Sequence, residues 1–489
     1  MSGDSPRISA VARKLCCWGG VALIGGTIAS GLFEPLLTLT RYIPRDPNEG
    51  WNAFFAQIAI RGGELYPAPG AAIINNYPPL SFYVVGGLGR LMGDNIFAGR
   101  TIALLSMLVI AGNIYRWLRA SGSGVPVACL GSGLFAALAA TYARPYAGMN
   151  DPQYLAHAIM TTGLVVLWRG NASGRVIGSG SLLVLAGGLT KHLLIPLPIA
   201  ITWWLKRRSK SAFVTWIVCS ALLLGAAAAL AGWLYGASIF KSLFSAREYS
   251  LPHAILQILR ALKYFAPMIG LSLLAMPLAR NSERAHFAVT YMLSAALVAA
   301  IASGGVGVGI NAFFDFAIAV SLCTALAVDA GWSRRLPGPL RAIEFGPAAT
   351  LLLGIYLAAL AVNLFPGALR DIRALDTLEM GTLRDTRAIA AMPRDRTACE
   401  ALELCYWAGR EFTLDFFNYG ERLKVRRQPF TPCASVFTAR YISVLQLNSA
   451  RGRGSILLPQ ACNDFIQENY APISVLANGV LLAAKNSAN

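Results

Sequence analysis

Apolar residues run along this chain in long blocks rather than in alternation, and eleven of the blocks read as membrane-crossing helices. Five are long enough for a hydrocarbon core of ~30 Å: residues 15–38, 97–117, 213–236, 255–279 and 346–365. Six are shorter or interrupted, near 126–142, 152–168, 176–190, 192–205, 285–302 and 311–330. Residues 79–92 are apolar too, but as a helix they reach only ~21 Å. They predict a juxtamembrane or re-entrant helix with both ends on the outer side. Past Phe365-Pro366-Gly367 the pattern changes: charges of both signs become frequent and no spanning block recurs. The spacing predicts a helix over 370–391 and strands at Ile456-Leu457-Leu458 and Val480–Ala484. About 120 residues can bury a core of their own, so a globular α/β domain is expected over 367–489, after a membrane domain over 1–366 whose outer loop spans 39–96.

Charge supports this reading and orients it. The net charge is +18, yet only 13 % of residues are charged and 55 % are hydrophobic. With the N-terminus inside, the cytoplasmic turns hold Arg116 and Arg119, Arg169 and Arg175, Lys206-Arg207-Arg208-Lys210, Arg280 and Arg284, and Arg334, Arg335 and Arg341. All five basic clusters then fall on one side, as the positive-inside rule requires. Counting 79–92 as a span would reverse every later loop. The excess charge therefore needs no nucleic acid, and no nucleic-acid motif accompanies it. The first apolar run, preceded by Arg7, Arg13 and Lys14, extends to about Leu39 without a small-residue cleavage pattern, so an uncleaved first span is expected.

Cysteine placement follows the same division. Cys16, Cys17, Cys129, Cys219 and Cys323 fall in predicted spans, where a thiol is a small apolar side chain. Cys399, Cys405, Cys433 and Cys462 fall in the outer domain, an even number suited to two disulfides with three connectivities open. No Cys-x-x-Cys or His partner favours zinc.

Candidate chemistry sits in the outer turns. Arg45-Asp46-Pro47-Asn48-Glu49 follows the first span. Asp46 with Pro47 reads as a helix cap and Glu49 as completing a capping box, and a carboxylate fixed in this way can also serve as a base. Asn75-Asn76-Tyr77-Pro78-Pro79-Leu80 closes the same loop as a rigid turn. Arg144-Pro145-Tyr146 and Asn150-Asp151-Pro152 mark the next outer turn. Leu189-Thr190-Lys191-His192 puts an ionisable pair between apolar runs, where such residues mark function by default. A glycine-rich stretch, 304–309, leads to Asn311 and Asp315, four apart and so on one helical face; no strand precedes it, which excludes a nucleotide-binding fingerprint. Lys241, Arg247 and Glu248 lie in an amphipathic outer loop, 237–254, suited to a flap or an interfacial helix. Aromatic runs around Tyr406-Trp407 and Phe416-Phe417 belong to the outer domain, where core packing accounts for most of them and sugar stacking is open to one or two rings.

The carboxylate pair followed by Tyr-Pro-Pro-Leu resembles the first outer loop of the multi-spanning GT-C glycosyltransferases, in particular bacterial relatives of protein O-mannosyltransferases and aminoarabinose transferases. The resemblance covers the order of elements over about residues 10–330. It implies an inverting enzyme of the bacterial inner membrane, with the N-terminus cytoplasmic and the C-terminal domain periplasmic or extracellular. The donor would be a polyprenyl-phosphate-linked sugar and the acceptor a hydroxyl of a glycolipid or glycan. It makes Asp46 the catalytic base, with Glu49 as second choice. Asn76, Tyr77, Arg144, Asp151, Lys191, His192, Asn311 and Asp315 become the substrate-binding set, Lys191 and Arg144 holding the departing phosphate. No cofactor is required by this reading; where a divalent metal (Mg or Mn) takes part, Glu49 is its first ligand. A glycolipid flippase is the rival, though neither inverted repeats nor broken midplane helices are evident. A polysaccharide polymerase or ligase is the second.

Overall fold

The computed structural model describes residues 10–68, 70–244, 247–332, 345–425, 433–438, 441–449 and 454–485. Helix α1 (Ala10–Leu37) is followed, in the loop that joins it to the next apolar block, by α2 (Pro47–Arg61) and α3 (Leu80–Met92). Six apolar helices come next: α4 (Asn95–Ala120), α5 (Val125–Thr141), α6 (Gln153–Arg169), α7 (Gly174–Gly188), α8 (Pro196–Arg208) and α9 (Lys210–Tyr235). A short α10 (Ser238–Leu243) precedes α11 (Leu251–Leu273), α12 (Glu283–Ala302), α13 (Phe314–Trp332) and α14 (Gly346–Ala390). Each of the eleven predicted blocks is thus a helix. Among the described residues seven helices are long and apolar enough to cross a membrane. α5 to α8, at 17, 17, 15 and 13 residues, are shorter. The chain is a polytopic helical membrane protein with a C-terminal domain.

Burial separates central from peripheral helices. α13 is buried along nearly its whole length, whereas α9 buries only Ala212 and Trp216 and exposes Val214, Leu222, Leu230 and Trp233. A helix apolar all round with so little protein against it is solvated by lipid.

The basic turns gather at one end of the bundle. Arg284 Nη1 donates to the Ser121 carbonyl at 3.1 Å and Nη2 pairs with Asp329 at 2.7 Å. Glu283 accepts from Trp204 Nε1 at 2.7 Å and lies 3.7 Å from Arg208, while Trp168 beside Arg169 packs on Trp117 with ring centroids 4.8 Å apart. Four of the five clusters therefore share a face; Arg334, Arg335 and Arg341 lie outside the described residues.

Two sequence expectations change. The last span does not stop at Pro366. That residue lacks an amide proton, but one missing helical bond does not end a helix whose next turns are rich in Ala, Leu and Arg, so α14 continues to Ala390. Ile456-Leu457-Leu458 is a turn, not a strand, because the Ser455 hydroxyl accepts from the Leu457 amide at 3.1 Å and Asn463 brackets Ser455 from the helix Gln460–Asn469. Such local side-chain bonds outcompete a ladder.

The C-terminal domain is built on a four-stranded sheet of β1 (Thr397–Cys399), β2 (Val444–Leu447), β3 (Tyr470–Leu476) and β4 (Gly479–Ala484), in the order β1-β2-β4-β3. β1 and β2 are parallel, Ala398 opposite Leu445; the other pairs are antiparallel, Leu445 opposite Leu482. Asp385 of α14 accepts both turn amides of the β3–β4 hairpin, Ala477 at 3.0 Å and Asn478 at 2.8 Å, anchoring the sheet to the long helix. Disulfides join Cys399 to Cys405 and Cys433 to Cys462, one of the three open connectivities. The loop that carries α2 and α3 shares a core with this domain: Trp51, Phe54, Phe55 and Phe82 pack with Leu402, Leu404, Cys405 and Phe412. Gly50 makes this possible, since a Cβ there would meet the backbone of Leu402 and Glu403.

Candidate active site

Two chambers open at the end of the bundle opposite the basic turns. The larger, about 380 Å³, descends between apolar walls that include Leu193, Leu194, Phe244 and Val298, with Lys191, His192 and Asp315 among them. The smaller, about 260 Å³, is polar and includes Asp46, Asn48, Asp151 and Tyr146, under a roof of Phe417 and Asn418 from the helix Phe416–Val425. Asn76, Tyr77, Arg247, Gly307 and Asn311 line both and form the junction.

Asp46 caps α2 as the sequence predicts: its backbone is extended and Oδ1 accepts the Asn48 amide at 2.9 Å. It has no ion pair among the described residues. Burial pushes its carboxyl above the ordinary carboxylate range, and the nearby Glu49 and Asp151 charges add to that. A carboxylate so placed is a stronger proton acceptor than one in water.

Glu49 departs from the expectation. The capping box is not formed; Glu49 is fully buried and faces Arg100, also fully buried. Arg100 Nε donates to Oε1 at 2.8 Å and Nη2 to Oε2 at 2.6 Å, while its other N–H groups donate to the carbonyls of Thr38, Arg41 and Ile43. The Asn150 amide takes a further lone pair of Oε1 at 3.0 Å. Glu49 lines neither chamber, and with both oxygens engaged it suits neither a base nor a Mg or Mn ligand. Among the described residues no group of three His, Cys, Asp or Glu is arranged for a metal.

The Tyr-Pro-Pro-Leu and Thr-Lys-His turns meet. The Leu80 amide donates to the Leu189 carbonyl at 3.1 Å, and Lys191 Nζ donates to the Tyr77 hydroxyl at 3.2 Å. Lys191 is 3.5 Å from Asp151, whose other task is to accept the Gln153 amide at the start of α6 at 2.8 Å. Asn76 Nδ2 donates to Asn418 Oδ1 at 3.1 Å. Asp315 finds its partners in Tyr291, whose hydroxyl donates at 2.6 Å, and His157 at 3.9 Å. Asn311 accepts the Gly309 amide at 3.2 Å in the turn before α13.

Arg144 is a correction. It donates to Glu34 at 2.9 Å, beside Arg45 on the same carboxylate, and lines neither chamber. The acidic partner lies 110 residues earlier in the first span, which no local pattern reveals. Arg247 takes the place expected of it: it lines both chambers, its guanidinium 5.7 Å over the Phe417 ring, with no ion pair among the described residues. The sequence shows it only as part of an outer loop. It shows Phe417 and Asn418 only as part of an aromatic run that core packing mostly explains, with sugar stacking open for one or two of its rings and no role marked for Asn418.

No protein-family model matches the sequence, and no curated protein does. The structure has relatives. It is similar to ArnT, an aminoarabinose transferase of the GT-C type, from Cupriavidus metallidurans. In the apo state the TM-score is 0.61 at 14% identity over 94% of this chain and 98% of that one. Bound to undecaprenyl phosphate it is 0.59 at 14% identity, over 95% and 98%. The oligosaccharyltransferase of Archaeoglobus fulgidus, in complex with Zn and sulfate, aligns at TM-score 0.45 and 11% identity, over 94% and 73%, too weakly to carry an argument. The ArnT likeness gives this chain a GT-C fold over almost its whole length.

Proposed function

We propose that this GT-C-fold chain is an inverting glycosyltransferase that moves a monosaccharide from a polyprenyl-phosphate donor to a hydroxyl of a glycolipid, polysaccharide or other envelope acceptor. The observation that carries the reading is the junction: an apolar chamber and a polar one meet at a cationic side chain, and across the polar one stands Asp46, a carboxylate without an ion pair among the described residues. An amphiphile with a lipid tail, a phosphate and a sugar has the same order of parts. ArnT, which shares the fold, binds undecaprenyl phosphate, and this supports a donor of the same kind here.

In this reading the prenyl chain lies along Leu193, Leu194 and Phe244, and its phosphate reaches Arg247 and Lys191. Asp46 accepts the proton of the acceptor hydroxyl as its oxygen attacks the anomeric carbon. The bond from that carbon to the phosphate oxygen breaks, and the electron pair leaves with the phosphate, where the cations stabilise the added charge. Lys191 is partly neutralised by Asp151, so Arg247 is the cation with charge to spare. These steps require no divalent metal. The face on which this happens is read as the outer one, supported by the basic turns at the opposite end and by two disulfides, which persist in oxidising compartments.

Purified protein in nanodiscs, given a radiolabelled polyprenyl-phosphate sugar and envelope lipid, is expected to release free polyprenyl phosphate and transfer the label. Movement of the donor between leaflets with the glycosidic bond intact would make the chain a transporter and end the proposal.

A further inference from the structure

The lining of the polar chamber carries more than a base. At about 260 Å³ it is smaller than the ~300–1,000 Å³ usual for drug-sized ligands, so it holds a single sugar ring rather than an oligosaccharide. Three charged side chains reach it, Asp46, Asp151 and Arg247, and each has an occupation. Asp151 is held by Lys191 at 3.5 Å. Asp46 is the proton acceptor of the reading above, and Arg247 stands at the junction where the phosphate belongs.

The other polar groups are uncharged, and four are carboxamides: Asn48, Asn76, Asn311 and Asn418. Asn418 is held with particular care. Asp415, 1% exposed, accepts the Asn418 amide on Oδ1 at 3.0 Å and Asn418 Nδ2 on Oδ2 at 2.7 Å. The same Oδ2 accepts Trp51 Nε1 at 2.9 Å. A buried carboxylate thus ties Trp51 to the start of this helix and fixes the Asn418 side chain, which in turn takes a bond from Asn76. One N–H of each amide and the carbonyl oxygen of Asn76 are left without a protein partner among the described residues. Beside Asn418, the half-buried Phe417 ring reaches over the chamber because position 307 has no side chain; a Cβ there would meet the ring.

We infer that the chamber is a site for an uncharged, hydroxyl-rich monosaccharide, and that Asn418 and Phe417 of the C-terminal domain select it. The inference rests on the transferase reading above. A sugar ammonium would need a carboxylate, and pairing with Asp46 would take the proton acceptor out of use. A sugar carboxylate would lie beside Asp46 and Asp151 and would compete with the phosphate for Arg247. Hydroxyls meet neither conflict: carboxamides donate to one and accept from its neighbour, and the C–H face of the ring lies on Phe417.

The test is a binding panel on the intact protein in nanodiscs, with one C20 prenyl phosphate in several forms. The methyl ester has the same single charge and no sugar. Neutral glycosides (mannosyl, galactosyl, arabinosyl) are set against a cationic one (4-amino-4-deoxyarabinosyl) and an anionic one (galacturonosyl). The measured quantity is the Kd of the methyl ester divided by that of the glycoside. At least one neutral form is expected to exceed about 10, which two or three net hydrogen bonds would give, while the charged forms stay near 1 or below. In Asn418→Ala and Asn76→Ala the neutral ratio is expected to fall toward 1. A charged sugar with the highest ratio, or no neutral ratio above 1, overturns the inference and leaves the transferase reading standing. An unaltered ratio in both variants overturns the role of the amides. Failure of every form to bind, the methyl ester included, sinks the transferase reading itself.

Discussion

Replacing Glu49 by Gln keeps the shape of the side chain and removes one charge from a pair with no water around it. Arg100 is then left fully buried with no carboxylate bonded to it among the described residues, because its other donors are committed to the carbonyls of Thr38, Arg41 and Ile43, and Asp94 and Glu403 act on it only through space. Breaking a buried ion pair from one side costs about 3–5 kcal/mol. Gln retains one acceptor, so the lower end, about 3 kcal/mol, is expected. That is a large fraction of the ~5–15 kcal/mol that holds a domain together. Asp46→Asn, three residues away, should do the opposite. Asn caps a helix as well as Asp, and Asp46 has no ion pair among the described residues to lose, so stability should hold while transfer falls about 10²–10⁴-fold. Unfolding of such proteins is often irreversible, so the assay pairs the half-life on heating with polyprenyl phosphate release per folded molecule. Glu49→Gln should lower the half-life steeply while the surviving folded molecules turn over. A Glu49→Gln protein with the wild-type half-life and no turnover, beside an active Asp46→Asn, would exchange the roles of the two carboxylates and refute the reasoning.

The base also has a pH signature. Asp46 accepts a proton only when ionised, and burial raises its pKa, so transfer should fall as pH drops through a value above the usual ~3.9 for Asp. The residual activity of Asp46→Asn should lack that limb, and a wild-type limb at the ordinary value would contradict the burial argument. Arg247→Ala should weaken binding of the prenyl phosphate methyl ester about 10–100-fold, the worth of a charge-assisted bond, with little change in thermal half-life. Lys191→Ala should weaken binding and also shorten the half-life, since it strands the buried Asp151; equal half-lives for the two variants would count against the Lys191–Asp151 pair. Mass spectrometry without reduction should find Cys399–Cys405 and Cys433–Cys462 linked, each worth about 2–4 kcal/mol to its domain and the longer loop more. Four free thiols would place that domain in a reducing compartment and reverse the topology.

Hydrophobic blocks determined the helices because in a bilayer every backbone group must be satisfied within its own segment. Length and apolarity then identify a span without reference to its neighbours. The grouping of the basic turns was legible for the same reason, as a loop's side follows from parity. The Asp46 cap, the Tyr77 turn and the Lys191 turn were legible as local chemistry, and they do line the cavity. What the sequence could not decide is which partner each charge finds. Glu49 looked like a companion of Asp46 because the two are close in the chain, yet Arg100 on α4 takes it out of the site. Arg144 looked available, yet Glu34 from the first span holds it. Arg247 was legible only as part of a candidate flap, and Asn418 is oriented by Asp415, three residues before it, which Trp51 holds from the other end of the chain. An ion pair in a site screened from water is chosen by three-dimensional proximity, where its Coulomb energy is large, and that proximity exists only once the helices and the C-terminal domain have packed.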